Sequence, residues 1–213
     1  MEEIAVEVAK KLLQINAIKL NPQKPFTWAS GLRSPIYCDN RIALSHPDIR
    51  SYIIQAFADK SGQFGTFDAI AGVATAGIAH GALLAASLDK PFAYVRPKPK
   101  GHGRKNQIEG ELKAGSRVLV IEDLISTGGS CLKAVEALRQ QAECEVVGVL
   151  AIFTYGFEQA ARSFQAANCP FDTLSNYEVL LQAALQEQYI PDEQRETLEA
   201  WRNDPQQWSE KLG

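Results

Sequence analysis

The sequence predicts an α/β fold, a parallel sheet flanked by helices with a small N-terminal hood. Three observations carry that expectation. From about residue 68 onward, apolar strand-like runs alternate with helical runs, the pattern of a parallel sheet covered by helices. The run VLVIE, Val118 to Glu122, is apolar and β-branched without alternation, as a strand buried on both faces is. Between the first helix and Pro47, clustered Pro, Ser and Asn interrupt any long regular element. At 213 residues and 46% hydrophobic, the chain can bury one sizeable core, so it reads as one domain over residues 1–213 with residues about 1–45 contributing the hood.

Taken in order, MEEIAVEVAKK opens an amphipathic helix, because Ile4, Val8 and Leu12 recur every four residues. The segment NPQKPFTWASGLRSPIYCDNRIALSHP follows as loops and short strands. Pro47 then starts a helix, with His46 just ahead of it and Ile49, Tyr52, Ile53, Ala56 and Phe57 along one face. DAIAGV reads as a strand, AGIAHGALLAASL as a helix, FAYVR and RVLVIE as strands, SCLKAVEALRQQ as a helix and EVVGVLAIFTY as a strand. Near the end, Ser175 stands three residues before Glu178, a capping-box spacing that would open the helix YEVLLQAAL.

Composition narrows the function. The net charge of -3 disfavours a protein that coats nucleic acid or a membrane surface, since both attract cationic faces. No apolar run is long enough to span a bilayer, and the acidic N-terminus lacks the basic start and apolar centre of a secretory signal. Cys38, Cys131, Cys144 and Cys169 show no short paired spacing, and three histidines leave little for a metal cluster, so scattered reduced thiols in a cytoplasmic protein are expected.

The stretch VLVIEDLISTGGS, Val118 to Ser130, holds the main chemical signal. Its acids, Glu122 and Asp123, fall at the carboxyl end of a buried strand, where open parallel sheets bind ligands. The following turn leads into a helix whose N-terminus offers free N–H groups and a positive dipole end to an anion. Ser126, Thr127 and Ser130 add hydroxyls, and Gly128 and Gly129 allow close approach. A sugar phosphate would satisfy both halves; an acid-capped strand with an ordinary Ser/Gly helix start is the bland alternative.

These residues resemble the phosphoribosyl-pyrophosphate motif of type I phosphoribosyltransferases. More narrowly, FTWASGLRSPIYCDNR and YVRPKPKGHGRKNQIEG resemble segments of the orotate phosphoribosyltransferases, and the likeness covers most of the chain. The resemblance implies transfer of phosphoribose to orotate, giving orotidine monophosphate and pyrophosphate. It also implies Mg2+, held mainly by the pyrophosphate substrate with no direct protein ligand assigned, and a homodimer with shared active sites. For phosphoribosyl pyrophosphate it implies Arg96, Lys100, His102 and the run Glu122, Asp123, Leu124, Ile125, Ser126, Thr127, Gly128, Gly129 and Ser130; for orotate it implies Ser126, Tyr37 and Cys38. Lys100, His102 and Asp123 are the residues it implies for catalysis.

The segment RPKPKGHGRKNQIEG carries Arg96, Lys98, Lys100, His102, Arg104 and Lys105 before its one acid, Glu109, on a chain that is acidic overall. A glycine-rich cationic loop suits a lid over a pyrophosphate leaving group; a solvated basic turn or a nucleic-acid patch is the alternative. His102 would either donate a proton to pyrophosphate or hydrogen-bond it, with binding favoured. GVATAGIAHG offers a second anion loop near Thr75 and Ala76 or simply a close-packed helix start, and its His80 reads as packed. Relatives that place lysines at Ala29 and Ala76, and an arginine near Tyr155, mark departures here, with Arg33 and Arg41 as other cations near the base. Trp28, Trp201 and Trp208 read as packing residues. A phosphoribosyltransferase for another base, or a non-catalytic phosphoribosyl-pyrophosphate-sensing regulator, are the rival functions.

Overall fold

The computed structural model describes residues 2–28, 30–98 and 106–212. A six-stranded sheet runs through the molecule in the order β10, β9, β8, β5, β6, β7. Its strands are β5 (Ala69–Val73), β6 (Phe92–Val95), β7 (Ile108–Glu109), β8 (Arg117–Ile125), β9 (Glu145–Thr154) and β10 (Phe171–Asn176). All neighbours pair in parallel except β6 and β7. The expected parallel sheet between helices is therefore present.

The strict side-chain alternation of a strand divides the core in two. On one face lie Ile70, Leu119, Ile121, Leu150, Ile152 and Leu174, covered by α1 (Glu2–Gln14), α2 (Pro47–Ser61), α3 (Ala76–Ser87), α6 (Tyr177–Gln186) and α7 (Arg195–Asn203). On the other lie Ala71, Val118, Val120, Val149 and Ala151, covered by α4 (Gly129–Gln141) and α5 (Glu158–Ala166). Burying each such Val, Leu or Ile contributes about 1.5–3 kcal/mol, which is why both faces of β8 must be apolar.

The expected N-terminal elements form with one refinement. Val8 and Leu12 of α1 are buried, and α1 packs against β10 and α6 on the sheet's flank. In the rest of the segment read as the hood, β1 (Ile18–Leu20) pairs antiparallel with β4 (Ile36–Cys38), and β2 (Phe26–Thr27) with β3 (Arg33–Ser34). A 3-10 turn over Asn40–Ser45 joins it to α2, where Pro47 takes the first-turn position. Ala29 lies outside the described residues.

Two local expectations differ from the structure. β8 continues through Glu122 and Asp123 to Ile125, because Leu124 and Ile125 still pair with Phe153 and Thr154 of β9. The cap of α6 is Asn176, whose side chain accepts from the Val179 N–H at 3.0 Å, and not Ser175. Ser175 belongs to β10, paired opposite Phe153, and its hydroxyl donates to the Ala5 carbonyl at 2.8 Å. The sheet register took Ser175 and left its neighbour to cap. The helix α8 (Pro205–Glu210) ends the chain's regular structure against β3.

Candidate active site

The carboxyl ends of β5, β6 and β8 point the same way, which brings the acid pair, the small-residue loop after β5 and Arg96 after β6 to one edge of the sheet. Glu122 is buried and its side chain accepts from the Asp123 backbone N–H at 3.0 Å. Burial, with the Asp123 charge beside it, pushes the Glu122 carboxyl far above its usual range; burial raises Asp123 as well. Both carboxyls therefore favour the protonated form more than an exposed acid does.

After Ile125 the chain turns into α4. Gly128 sits at φ +82°, where a side chain is strained, and a Cβ there would lie 2.7 Å from the Phe164 ring. Ser126 is half-buried, while Thr127, Gly129 and Ser130 are exposed at the helix start, facing the orphan N–H groups outward. Leu124 is half-buried against the core, and the Ile125 carbonyl accepts from the Thr154 hydroxyl at 2.9 Å. Those two residues hold the turn in place by packing and backbone.

The hood reaches this edge through Asn40. Its side chain donates to the Asp123 carbonyl at 2.8 Å and accepts from the Cys38 thiol at 3.4 Å. Desolvation, then the Asp123 and Asp39 charges, keep the Cys38 thiol protonated. Tyr37 is exposed beside Phe26, ring centroids 5.7 Å apart. Arg41 is bound by both carboxylate oxygens of Asp39, at 2.7 and 2.9 Å, so its charge is already compensated.

A cavity of about 620 Å3 opens beside the turn, lined by Trp28 of the hood, Ser126 and Thr127, Gly156 and Phe157 after β9, and Arg202 of α7. Glu122, Asp123, Tyr37 and Cys38 are not among its lining. The wall opposite Ser126 is aromatic: Trp28 stacks on Tyr155 at 5.2 Å and meets the fully buried Trp201 edge-on at 5.7 Å. Asn40, Phe157 and Arg202 were missed by sequence reasoning. The one available signal was the Leu198–Trp201 spacing in ETLEAWRN, an apolar pair on one helix turn.

Arg96 pairs with Glu109 at 3.5 Å, and its backbone is tied to Gln107 in both directions. Lys100, His102, Arg104 and Lys105 lie outside the described residues. In the first turn of α3, a Cβ on Gly77 would stand 2.5 Å from the Ile121 carbonyl oxygen, so close packing of α3 on β8 requires the small residue. His80 is buried, and burial lowers it to about 4 against a smaller opposing effect of the Asn40 backbone, so it is a neutral packed imidazole. All four cysteines are free. No helix among the described residues is long and apolar enough to cross a membrane.

The family profile described as the phosphoribosyl transferase domain matches residues 42–188, the stretch that holds this sheet, the acid pair within β8 and the hydroxyl-glycine turn into α4. The orotate phosphoribosyltransferase of Bacteroides fragilis is 55% identical over 201 residues, 94% of each chain. That of Listeria monocytogenes is 51% identical over 206 residues, 96% of this chain and 98% of its own. The crystal structure of orotate phosphoribosyltransferase from Aeropyrum pernix superimposes with a TM-score of 0.75 at 30% identity, covering 86% of this chain and 99% of that one. The chain belongs to the orotate phosphoribosyltransferases, enzymes of pentosyl transfer.

Proposed function

We propose that this protein transfers the phosphoribosyl group of 5-phosphoribosyl 1-pyrophosphate to orotate, forming orotidine 5′-monophosphate and pyrophosphate in pyrimidine biosynthesis. The observation that carries the proposal is the cavity that joins the Ser126–Thr127 turn to the Trp28 wall, with Glu122 and Asp123 just before that turn in the chain. In chain order this supplies acceptors for ribose hydroxyls, a cradle for the 5′-phosphate and a flat apolar wall for a planar base.

The base nitrogen bonds to the anomeric carbon as the bond from that carbon to the pyrophosphate oxygen breaks, and the electron pair leaves with pyrophosphate. No protein nucleophile is required. The chain's part is positioning and charge stabilisation. Glu122 and Asp123 orient the ribose; Ser126 to Ser130, with Leu124 and Ile125 as their support, hold the 5′-phosphate; Arg96, Lys100 and His102 meet the pyrophosphate. Ser126 borders the base in the cavity, and Tyr37 and Cys38, which lie off its lining, would meet the base from the hood.

Mg2+ fits these residues, because two carboxyls raised by burial are stabilised as anions by whatever brings positive charge to them. Carried in on the substrate's pyrophosphate, with Glu122 and Asp123 nearby, it would neutralise charge on the leaving group. A cytoplasmic homodimer, with the basic loop completing the partner's site, completes the proposal. Mixing Lys100→Ala with Asp123→Ala protein tests the sharing: hybrids should recover activity, and no recovery after confirmed exchange rejects it.

The direct test follows ultraviolet loss of orotate with phosphoribosyl pyrophosphate and Mg2+, with uracil and hypoxanthine in parallel. Consumption of orotate alone supports the assignment. Preference for another base rejects it in favour of a sister transferase. Binding of phosphoribosyl pyrophosphate with no turnover of any base would point to a sensor.

A further inference from the structure

Orotate is a planar base that carries a carboxylate, so its site calls for a cation at the rim of the cavity. Among the described residues lining that cavity, the cationic side chains are Arg162 and Arg202. Arg162 pairs with Glu158 at 2.5 Å, one helical turn away, and three-quarters of its side chain is in solvent. In the hood, Arg41 is clamped by Asp39. Arg202 forms no ion pair among the described residues; its guanidinium makes one long hydrogen bond, 3.3 Å, to the Gly156 carbonyl. The nearby carboxylate on the lining, Asp204, is engaged in capping α8, accepting from the Gln207 N–H at 2.9 Å.

The placement of Arg202 is built. Trp201, beside it on α7, is fully buried among Trp28, Tyr155, Phe157 and Tyr177, which fixes the helix against the cavity wall. Below the guanidinium, Gly156 has φ +71°, and a Cβ there would come within 3.4 Å of an Arg202 nitrogen. Gly156 in turn donates its N–H to the Thr154 hydroxyl at 3.1 Å, and that hydroxyl donates to the carbonyl of Ile125, the residue before Ser126. A short run of hydrogen bonds thus connects Arg202 to the turn that begins the phosphate cradle.

We propose that Arg202, carried on the C-terminal helix α7, receives the carboxylate of the base and sets the preference for orotate over uncarboxylated pyrimidines. The assignment rests on the orotate reading above. A guanidinium with unused N–H groups in a planar fork matches a carboxylate in two-point geometry, which a lysine ammonium cannot reproduce.

The test compares wild type, Arg202→Gln and Arg202→Lys in steady-state kinetics, with thermal melting as a check on folding. Because the side chain is exposed, both variants should melt with wild type. The KM for orotate should rise about tenfold to a hundredfold in the glutamine variant, as loss of a charge-assisted contact does, and less in the lysine variant. The KM for phosphoribosyl pyrophosphate should stay within about twofold, and the orotate-to-uracil preference should fall. An unchanged orotate KM in Arg202→Gln, or an equal rise for both substrates, overturns the assignment. If wild type itself does not use orotate, the functional proposal falls first and this one with it.

Discussion

The two walls of the cavity are made by different physics. The β8 wall is local: Ser126 and Thr127 line it, and the buried strand before them and the glycine turn and helix start after them lie within fewer than fifteen consecutive residues. The opposite wall is assembled from distant parts of the chain. Trp28 comes from the hood, Tyr155 and Phe157 from the end of β9, Trp201 and Arg202 from α7, and Ser209 of α8 accepts from the Arg33 N–H across 176 residues. The first wall is set by backbone geometry, while the second is set by side-chain packing. The two should fail differently when broken.

The largest effect is expected at Trp201, the centre of the packed wall. Replacing it with alanine removes ring contacts at 5.4–5.7 Å to four other aromatics and leaves a cavity, at a cost of about 3–5 kcal/mol. Urea unfolding followed by circular dichroism measures it, and the orotate KM should rise at temperatures where the variant stays folded. A loss below about 1 kcal/mol would mean that α7 merely rests on the hood, and the contrast between the walls would dissolve.

Asp123→Asn should show the converse. Its carboxyl is raised by burial, so an amide of the same shape relieves a desolvation penalty and folding should hold or improve. Turnover should nevertheless drop about 100- to 1000-fold, the scale of losing one preorganised charge contact in a transition state. Equal losses of stability and activity would show the acid to be structural.

The sequence made the first wall legible because every part of it is short-range: apolar period, adjacent acids, glycines and hydroxyls at a helix start. The helices α5 and α7 escaped notice because each shows the core one apolar pair, Ala160 with Phe164 and Leu198 with Trp201, within otherwise polar segments. β10 is hidden in the sequence because Thr173 and Ser175 flank Leu174 at its buried positions, and the Ser175–Glu178 spacing imitates the cap that Asn176 makes. The acids were placed at the end of β8, yet pairing with β9 extends that strand two residues past Asp123. The cation of the second wall was invisible for the same reason as the wall itself: nothing near Tyr155 in sequence announces Arg202.

A smaller effect separates the two acids. Glu122, raised from its ordinary 4.5, binds a proton in the folded state that the unfolded chain releases, so unfolding sheds protons across that window. Ligand-free stability should therefore fall as pH rises above about 4.5, by at most about 1.4 kcal/mol per pH unit for one proton. Glu122→Gln should flatten the slope, its advantage over wild type growing with pH in melting experiments. Phosphoribosyl pyrophosphate with Mg2+ should flatten it in wild type too, by favouring the charged pair. Parallel slopes for variant and wild type would show that the shared proton resides elsewhere.

The smallest effect tests how the distant wall is held. Ser209→Ala removes the acceptor of the Arg33 N–H at 2.9 Å, in a part-buried position that water can enter. A net loss of about 0.5–1.5 kcal/mol is expected, at the lower end because water replaces the hydroxyl. Hydrogen exchange should localise the change to Arg33 and its neighbours in β3, leaving the β8 amides as protected as in wild type. If protection instead falls throughout α7, that single hydrogen bond and not the Trp201 ring cluster anchors the C-terminal helices. The orotate KM should then move with it, because the segment that carries Arg202 would be loosened at its far end.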